Sequence, residues 1–173
     1  MLACTEQEGE TLVRMFKGIA HRVVAISSGD VYRAYDRFRR ADPGPPDAVP
    51  LTEDSPLRDH LFPYRERRKK ERICPSITRR FSWNAQSLAS QIYLLRLPMV
   101  YGTGDYQHRL FGYLKRMYDK RPAILLSKGM ATWRGLRGCV EDMGKAIALC
   151  VANNQAARRV YHLADQENLT EAE

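Results

Sequence analysis

Residues 23–32 read Val-Val-Ala-Ile-Ser-Ser-Gly-Asp-Val-Tyr, and no other stretch restricts the fold as much. Four consecutive apolar residues, three of them β-branched, suit a strand buried on both faces, as in a parallel sheet. Ser27, Ser28 and Gly29 end the run and leave hydroxyls at its carboxyl end. In open α/β sheets that end is where ligands bind. A helix is expected directly before the strand. Thr5 is placed to cap it with Glu8 in capping-box position, Leu12, Val13 and Phe16 form its apolar stripe, and Gly18 stops it.

The rest of the chain continues the alternation of strand and helix. Residues 41–57 contain five prolines and predict a surface excursion. Tyr93–Tyr101 reads as a second strand, stopped by Gly102-Thr103-Gly104. Tyr106 to about Lys120 reads as a helix with Leu110, Leu114 and Met117 on one face. Ala123–Ser127 suggests a short strand. Glu141 to about Ala152 suggests a helix with Ala146, Ile147 and Cys150 inward, and Val160–Ala164 a last strand. The expected class is α/β: a partial Rossmann-like parallel sheet plus part of a small α/β substrate domain.

A length of 173 residues suits one domain or a piece of a larger one, and 44% hydrophobic residues suffice for a core. No apolar run approaches the roughly 18–20 residues of a membrane span. The N-terminus lacks the basic-then-apolar order of a secretory signal, so a cytoplasmic location is expected and no membrane partner. Cys4, Cys74, Cys139 and Cys150 form no Cys-x-x-Cys pair and have no histidine at zinc-ligand spacing, which argues for thiols and against a metal. Six of the eight surplus positive charges fall in residues 65–80, with Arg65, Arg67, Arg68, Lys69, Lys70, Arg72, Arg79 and Arg80 against Glu66 and Glu71. That confinement argues against nucleic acid as the partner of the whole chain.

The serine strand, together with Leu94-Leu-Arg-Leu-Pro-Met-Val-Tyr-Gly-Thr-Gly-Asp105, resembles the extended short-chain dehydrogenase/reductase family, the NAD-dependent epimerases and dehydratases of nucleotide sugars. The resemblance covers residues 6–64 and 93–170. It implies NAD or NADP as cofactor, a nucleotide-sugar-like small-molecule substrate and, in intact relatives, a homodimer. It implies a catalytic role for Ser28, contacts to the cofactor from Ser27, Pro98, Met99 and Val100, and substrate contacts from Arg134 or Arg137. Asp30 falls where dehydratase members carry an acid. The implied division is residues 1–128 for the partial cofactor-binding region and 129–173 for the partial substrate region.

Two parts of the family pattern are missing. No strand followed by Gly-x-x-Gly-x-x-Gly occurs in these residues, and that loop seats the dinucleotide diphosphate on a helix N-terminus. No Tyr-x-x-x-Lys lies between the two matched motifs. Tyr64 is followed four residues on by Arg68, and Lys69 comes one place late. The resemblance thus implies a fragment without the glycine-loop half, its hydride chemistry impaired or absent.

The middle of the chain departs furthest, and residues 65–93 are expected to be irregular. Trp83-Asn84 read one nucleotide earlier gives a glutamate codon, and residues 78–85 then permit Lys-Lys-Ile-Leu-Val-Glu-Arg, similar to the family's catalytic helix. Residues from about Arg68 to Tyr93 are accordingly expected to be translated between two compensating frame shifts, which the DNA sequence across them decides. Two alternatives belong to other classes. One is a module that binds polyanions through residues 65–80. The other is a subunit whose partner chain supplies the missing half.

Overall fold

A computed structural model describes residue 11 and residues 14–59, 91–153 and 159–173. Strand β1 (Arg22–Ser28) pairs in parallel with β2 (Gln91–Leu97) along its whole length, Arg22 opposite Gln91 and Ser28 opposite Leu97. Strand β5 (Arg159–His162) lies parallel on the other side of β2, giving the order β1-β2-β5. The fold is therefore α/β with a parallel, partly Rossmann-like sheet. The central position of β2 explains its composition. Tyr93, Leu94, Leu95 and Arg96 are all buried, whichever face they point to.

Between β1 and β2 stand a 3-10 turn (Gly29–Val31) and the short helix α1 (Arg33–Phe38). Sequence reading did not anticipate α1, whose six residues carry too many charges to show a stripe. Tertiary packing holds it. Phe38 stacks on Trp133 with centroids 4.5 Å apart, and Tyr35 meets the same indole edge-on at 5.6 Å. Val31, Tyr32, Ala34, Leu51, Trp133 and Leu136 complete this core. The proline-rich excursion is anchored rather than loose: Leu51 enters the core, and Asp47 bridges Arg33 and Arg37 at 2.7 and 3.0 Å.

Three expected elements require correction. Tyr93–Tyr101 is not one strand. Pro98 has no N–H to continue the ladder, and β3 (Met99–Tyr101) leaves the main sheet to pair in parallel with β4 (Arg137–Cys139). The helix expected from Tyr106 begins only at Phe111, as α2 (Phe111–Tyr118). Asp105 takes the N–H groups of Gln107 and Arg109 and pairs with the Arg109 guanidinium at 2.6 Å, while His108 adopts a positive φ, so the chain turns there instead. On α2 the stripe does not face a core, since Leu114 and Met117 are exposed. Ala123–Ser127 forms no strand. Its apolar side chains find no strand edge among the described residues, Leu125 is exposed, and Ser127 instead caps the short helix α3 (Lys128–Ala131).

Helix α4 (Val140–Ala152) packs on β1 and β2, with Met143 buried and Ala146, Ile147 and Cys150 half-buried along the same stripe. The Tyr93 hydroxyl donates to the Asn153 carbonyl at its C-terminal cap. Two pairings cross the division expected after residue 128: β5 joins β2, and β4 joins β3. Of the expected first helix, residue 11 and residues 14–16 are helical and the chain turns at Gly18, with φ +77°; residues 5–10, 12 and 13 lie outside the described residues. So does most of the segment expected to be irregular and out of frame. Its last residues, Gln91–Tyr93, already belong to β2.

Candidate functional site at the carboxyl edge of the sheet

The parallel register carries both sequence motifs to one edge. Ser27 stands opposite Arg96 and Ser28 opposite Leu97, with Pro98 next along the chain. Ser27 is buried, and Pro98, Met99 and Val100 are half-buried. The Ser28 hydroxyl accepts the Asp30 N–H at 3.1 Å and caps the 3-10 turn. Its own proton meets no acceptor among the described residues. Asp30 is held in ion pairs with Arg39 and Arg58, the latter at 3.0 Å, which fixes its carboxylate at the turn.

A polar cluster ties together the ends of all three strands. Arg96, buried in β2, donates to the Tyr32 hydroxyl at 2.8 Å and to the Glu53 carbonyl at 3.1 Å, and its guanidinium lies 5.0 Å from the Tyr32 ring centre. His162, at the end of β5, lies against this group with its ring tilted by 31° to that of Tyr32 and the centroids 4.7 Å apart. Its backbone N–H donates to Glu53 Oε1 at 2.8 Å. Neither ring nitrogen of His162 has a hydrogen-bond partner among the described residues. Burial, reinforced by the Arg96 charge, pushes the imidazole down to about 4, so the ring is neutral near pH 7. Burial raises the Tyr32 hydroxyl above the ordinary phenol value, and Arg96 only partly opposes it. Tyr32 is therefore a structural phenol and not a tyrosinate base.

Gly29 is needed where β1 ends. A Cβ there would stand 2.9 Å from His162 Nε2 and 3.3 Å from the Leu97 carbonyl oxygen. Gly29→Ala is expected to cost about 1–3 kcal/mol by overpacking. Urea unfolding reads it, and the cost should shrink in a His162→Ala background, where the imidazole no longer obstructs.

Beyond β3 and β4 lies an open cleft of about 820 Å³ lined by Tyr101, Leu110, Arg137, Cys139, Asp165 and Asn168, among others. Asp165 organises it. One carboxylate oxygen accepts the Tyr101 hydroxyl at 2.8 Å and the other the Cys139 N–H at 2.9 Å. Arg137 is pinned through Nη2 to Glu171 at 2.5 Å, and Tyr113 donates to the same carboxylate at 2.9 Å. The Cys139 thiol donates to Glu141 at 2.7 Å, which raises its pKa and makes it a poor nucleophile.

The sequence-predicted residues thus fall into two groups. Ser27, Ser28 and Pro98 share the sheet edge with Met99 and Val100 following in β3, whereas Arg137 lines the cleft. Arg134 is not among the cleft's lining residues. It donates to the Asn168 carbonyl and lies 3.6 Å from Glu173. Sequence reading missed His162, Asp165 and Asn168. The one available signal was a histidine interrupting the otherwise apolar Val160–Ala164.

This arrangement, a parallel sheet with polar residues gathered at its carboxyl edge, defines a Rossmann-like α/β fold. No protein-family profile and no curated protein matches the sequence. Solved structures do. TunA, an NAD-dependent NDP-hexosamine 5,6-dehydratase of tunicamycin biosynthesis, superposes with a TM-score of 0.59 at 18% identity over 95% of this chain. MoeE5 in complex with UDP-glucose and NAD gives 0.56, and with UDP-glucuronic acid and NAD 0.57, both at 21% identity over 95% of this chain. The expected likeness to NAD-dependent sugar dehydratases and epimerases is thus present in the fold. The chain spans 48% of the length of each of these proteins.

The superposed MoeE5 structures hold NAD. A diphosphate needs a glycine loop that lets backbone N–H groups approach it. The glycines that follow β3 do not provide one. A Cβ at Gly102 would meet Val140 Cγ1 at 2.9 Å, so that glycine serves packing against α4, and Gly104 faces open space. The glycines of the described residues after β3 thus supply no cradle for a diphosphate.

Proposed function

We propose that this chain carries the substrate-facing part of an NAD-dependent epimerase/dehydratase type of protein, acting on a nucleotide sugar or a related hydroxylated compound. The in-register pairing of Ser28 with Leu97 carries this reading, because it joins the two sequence motifs at one edge. The likeness to TunA and to MoeE5, the latter solved with NAD and UDP-sugars, supports it. In this reading Ser28 donates its hydroxyl proton toward the reacting oxygen of the substrate. Ser27, Pro98, Met99 and Val100 border the nicotinamide side, and Arg137, with Arg134 behind it, faces the substrate. Residues 129–173 contribute mainly to substrate binding, and the location is cytoplasmic.

Hydride chemistry is impaired in these 173 residues. They hold no diphosphate loop, and no Tyr-x-x-x-Lys lies between the motifs. The test is a titration of the full chain with UDP-glucose and, separately, with NAD, followed by ligand-observed NMR. UDP-glucose is expected to bind, with Arg137→Ala weakening it about tenfold, which is about 1.4 kcal/mol. NAD alone is expected not to saturate. Failure of UDP-glucose to bind overturns the substrate class, and tight NAD binding overturns the impairment.

A further inference from the structure

Helix α2 carries an apolar stripe that the described residues leave uncovered. None of its eight residues is buried. At about 100° per residue, Tyr113, Met117, Leu114, Tyr118 and Phe111 follow one another around one side of the helix. Tyr113, at one margin of this arc, is half-buried and donates its hydroxyl to Glu171 at 2.9 Å. Phe111, Leu114, Met117 and Tyr118 are 58–87% exposed. Tyr106 before the helix and Leu125 after it are exposed as well. A short helix is marginal in water without packing of its apolar face. Single exposed apolar residues are ordinary, but a contiguous group on one face marks an interaction surface.

The stripe has a charged frame. Between Phe111 and Arg121 stand Lys115, Arg116, Lys120 and Arg121 against Asp119 alone. By the same angular spacing Lys115 and Arg116 fall on opposite margins of the apolar arc. Lys115 pairs with Asp119 at 2.8 Å, an exposed contact that stabilises little and exchanges easily. Arg116 donates to the Gly112 carbonyl, and neither it nor Lys120 nor Arg121 meets a carboxylate among the described residues.

This pattern discriminates between covers. A second copy laid face to face on α2 brings these cations toward their own counterparts, which is repulsive. A lipid surface holds a helix in proportion to its buried apolar area, and about two turns offer little. An amphipathic helix with carboxylates beside its apolar stripe satisfies both features at once, covering the side chains and opposing the cations.

We propose that α2 is a docking surface for an acidic amphipathic helix of a partner chain. The partner covers Phe111, Leu114, Met117 and Tyr118 and sets carboxylates against Arg116, Lys120 and Arg121. The surface uses neither Ser28 nor Arg137, so its test is independent of the sugar-substrate reading.

The probe is a fluorescein-labelled helical peptide of about 18 residues, with leucine along one face and glutamate and glutamine on the other. Its control carries lysine in place of glutamate. Fluorescence anisotropy with the full chain is expected to show the acidic peptide binding at least about tenfold tighter than the control, with rising salt narrowing the gap. Leu114→Gln and Met117→Gln, both at exposed positions, should each weaken the acidic peptide at least about fivefold with unchanged circular dichroism. The double variant Lys120→Gln, Arg121→Gln should bring the two peptides closer together. Leu149→Gln, on the exposed side of α4, should leave binding unchanged. Absence of binding overturns the proposal, as do equal affinities for the two peptides or binding indifferent to Leu114→Gln and Met117→Gln. Self-association in sedimentation that Leu114→Gln abolishes overturns it in favour of a second copy. Binding to phosphatidylglycerol vesicles that the same variant abolishes overturns it in favour of a lipid surface.

Discussion

Leu95→Ala is expected to lower the unfolding free energy by about 3 kcal/mol, within a range of about 2–5 kcal/mol for such truncations. Leu95 is fully buried in β2, between Ile26 of β1 and Tyr161 of β5 in the register. Alternation puts it on the same face as Tyr93, the side on which Tyr93 reaches the end of α4. A central strand with neighbours on both edges has little room to close over a lost isobutyl group, so most of the cavity persists. The loss should also reach the site, because the same strand holds Arg96 and delivers Pro98 to the carboxyl edge. Leu149→Ala, on the exposed side of α4, should stay within about 0.5 kcal/mol of wild type. Urea unfolding followed by circular dichroism gives both values. Equal effects at the two positions would mean that β2 is not the centre of the core.

What could be read from the sequence was local. Val23–Ile26 followed by Ser-Ser-Gly announces a buried strand and its end without help from the rest of the chain. Residues 146, 147 and 150 announce α4 in the same way. The misread elements all depend on distant partners. Ala123–Ser127 is apolar enough for a strand, but a strand exists only beside an edge, and none is offered among the described residues. Arg33–Phe38 is a poor isolated helix that forms because Trp133, far along the chain, gives Tyr35 and Phe38 a surface. The break at Pro98 was visible as a missing N–H, yet the apolar residues on both sides hid it. The site divides similarly. Ser27 and Ser28 belong to a contiguous motif. His162, Asp165 and Asn168 gain meaning only when β5 is laid against β2 and the chain beyond it closes over β4.

The stability of the folded chain is expected to fall by about 2 kcal/mol between pH 7 and pH 4.5, and His162 is the cause. In the fold its pKa is pushed down to about 4, first by burial, then by the charge of Arg96, with Glu53 opposing. In the unfolded chain a histidine titrates near ~6.5. Above that value both states hold a neutral ring, and the full stability is present. As pH falls from about 6.5 toward 4, the unfolded chain takes up a proton that the folded one refuses, so stability declines. Below about 4 both states are protonated and this group has no further effect. Each tenfold difference in proton affinity is about 1.4 kcal/mol, which sets an upper bound of about 3 kcal/mol. The ring is only half-buried, and solvent screening brings the expected value to about 2. Asp47 and Glu53 also titrate abnormally, but their carboxyls are held below the ordinary carboxylate range, so their contribution is lost at lower pH than the histidine's. Urea unfolding at pH 7, 6 and 5 separates the two windows. Wild type should weaken progressively across them, and His162→Gln should remove most of that slope. An unchanged slope in the variant would mean that the imidazole is solvated and that the polar cluster does not seal the carboxyl edge of the sheet. With the expected slope, acid loosens first the strand end beside Gly29 and Ser28, the place where the ligand-facing hydroxyl must be held.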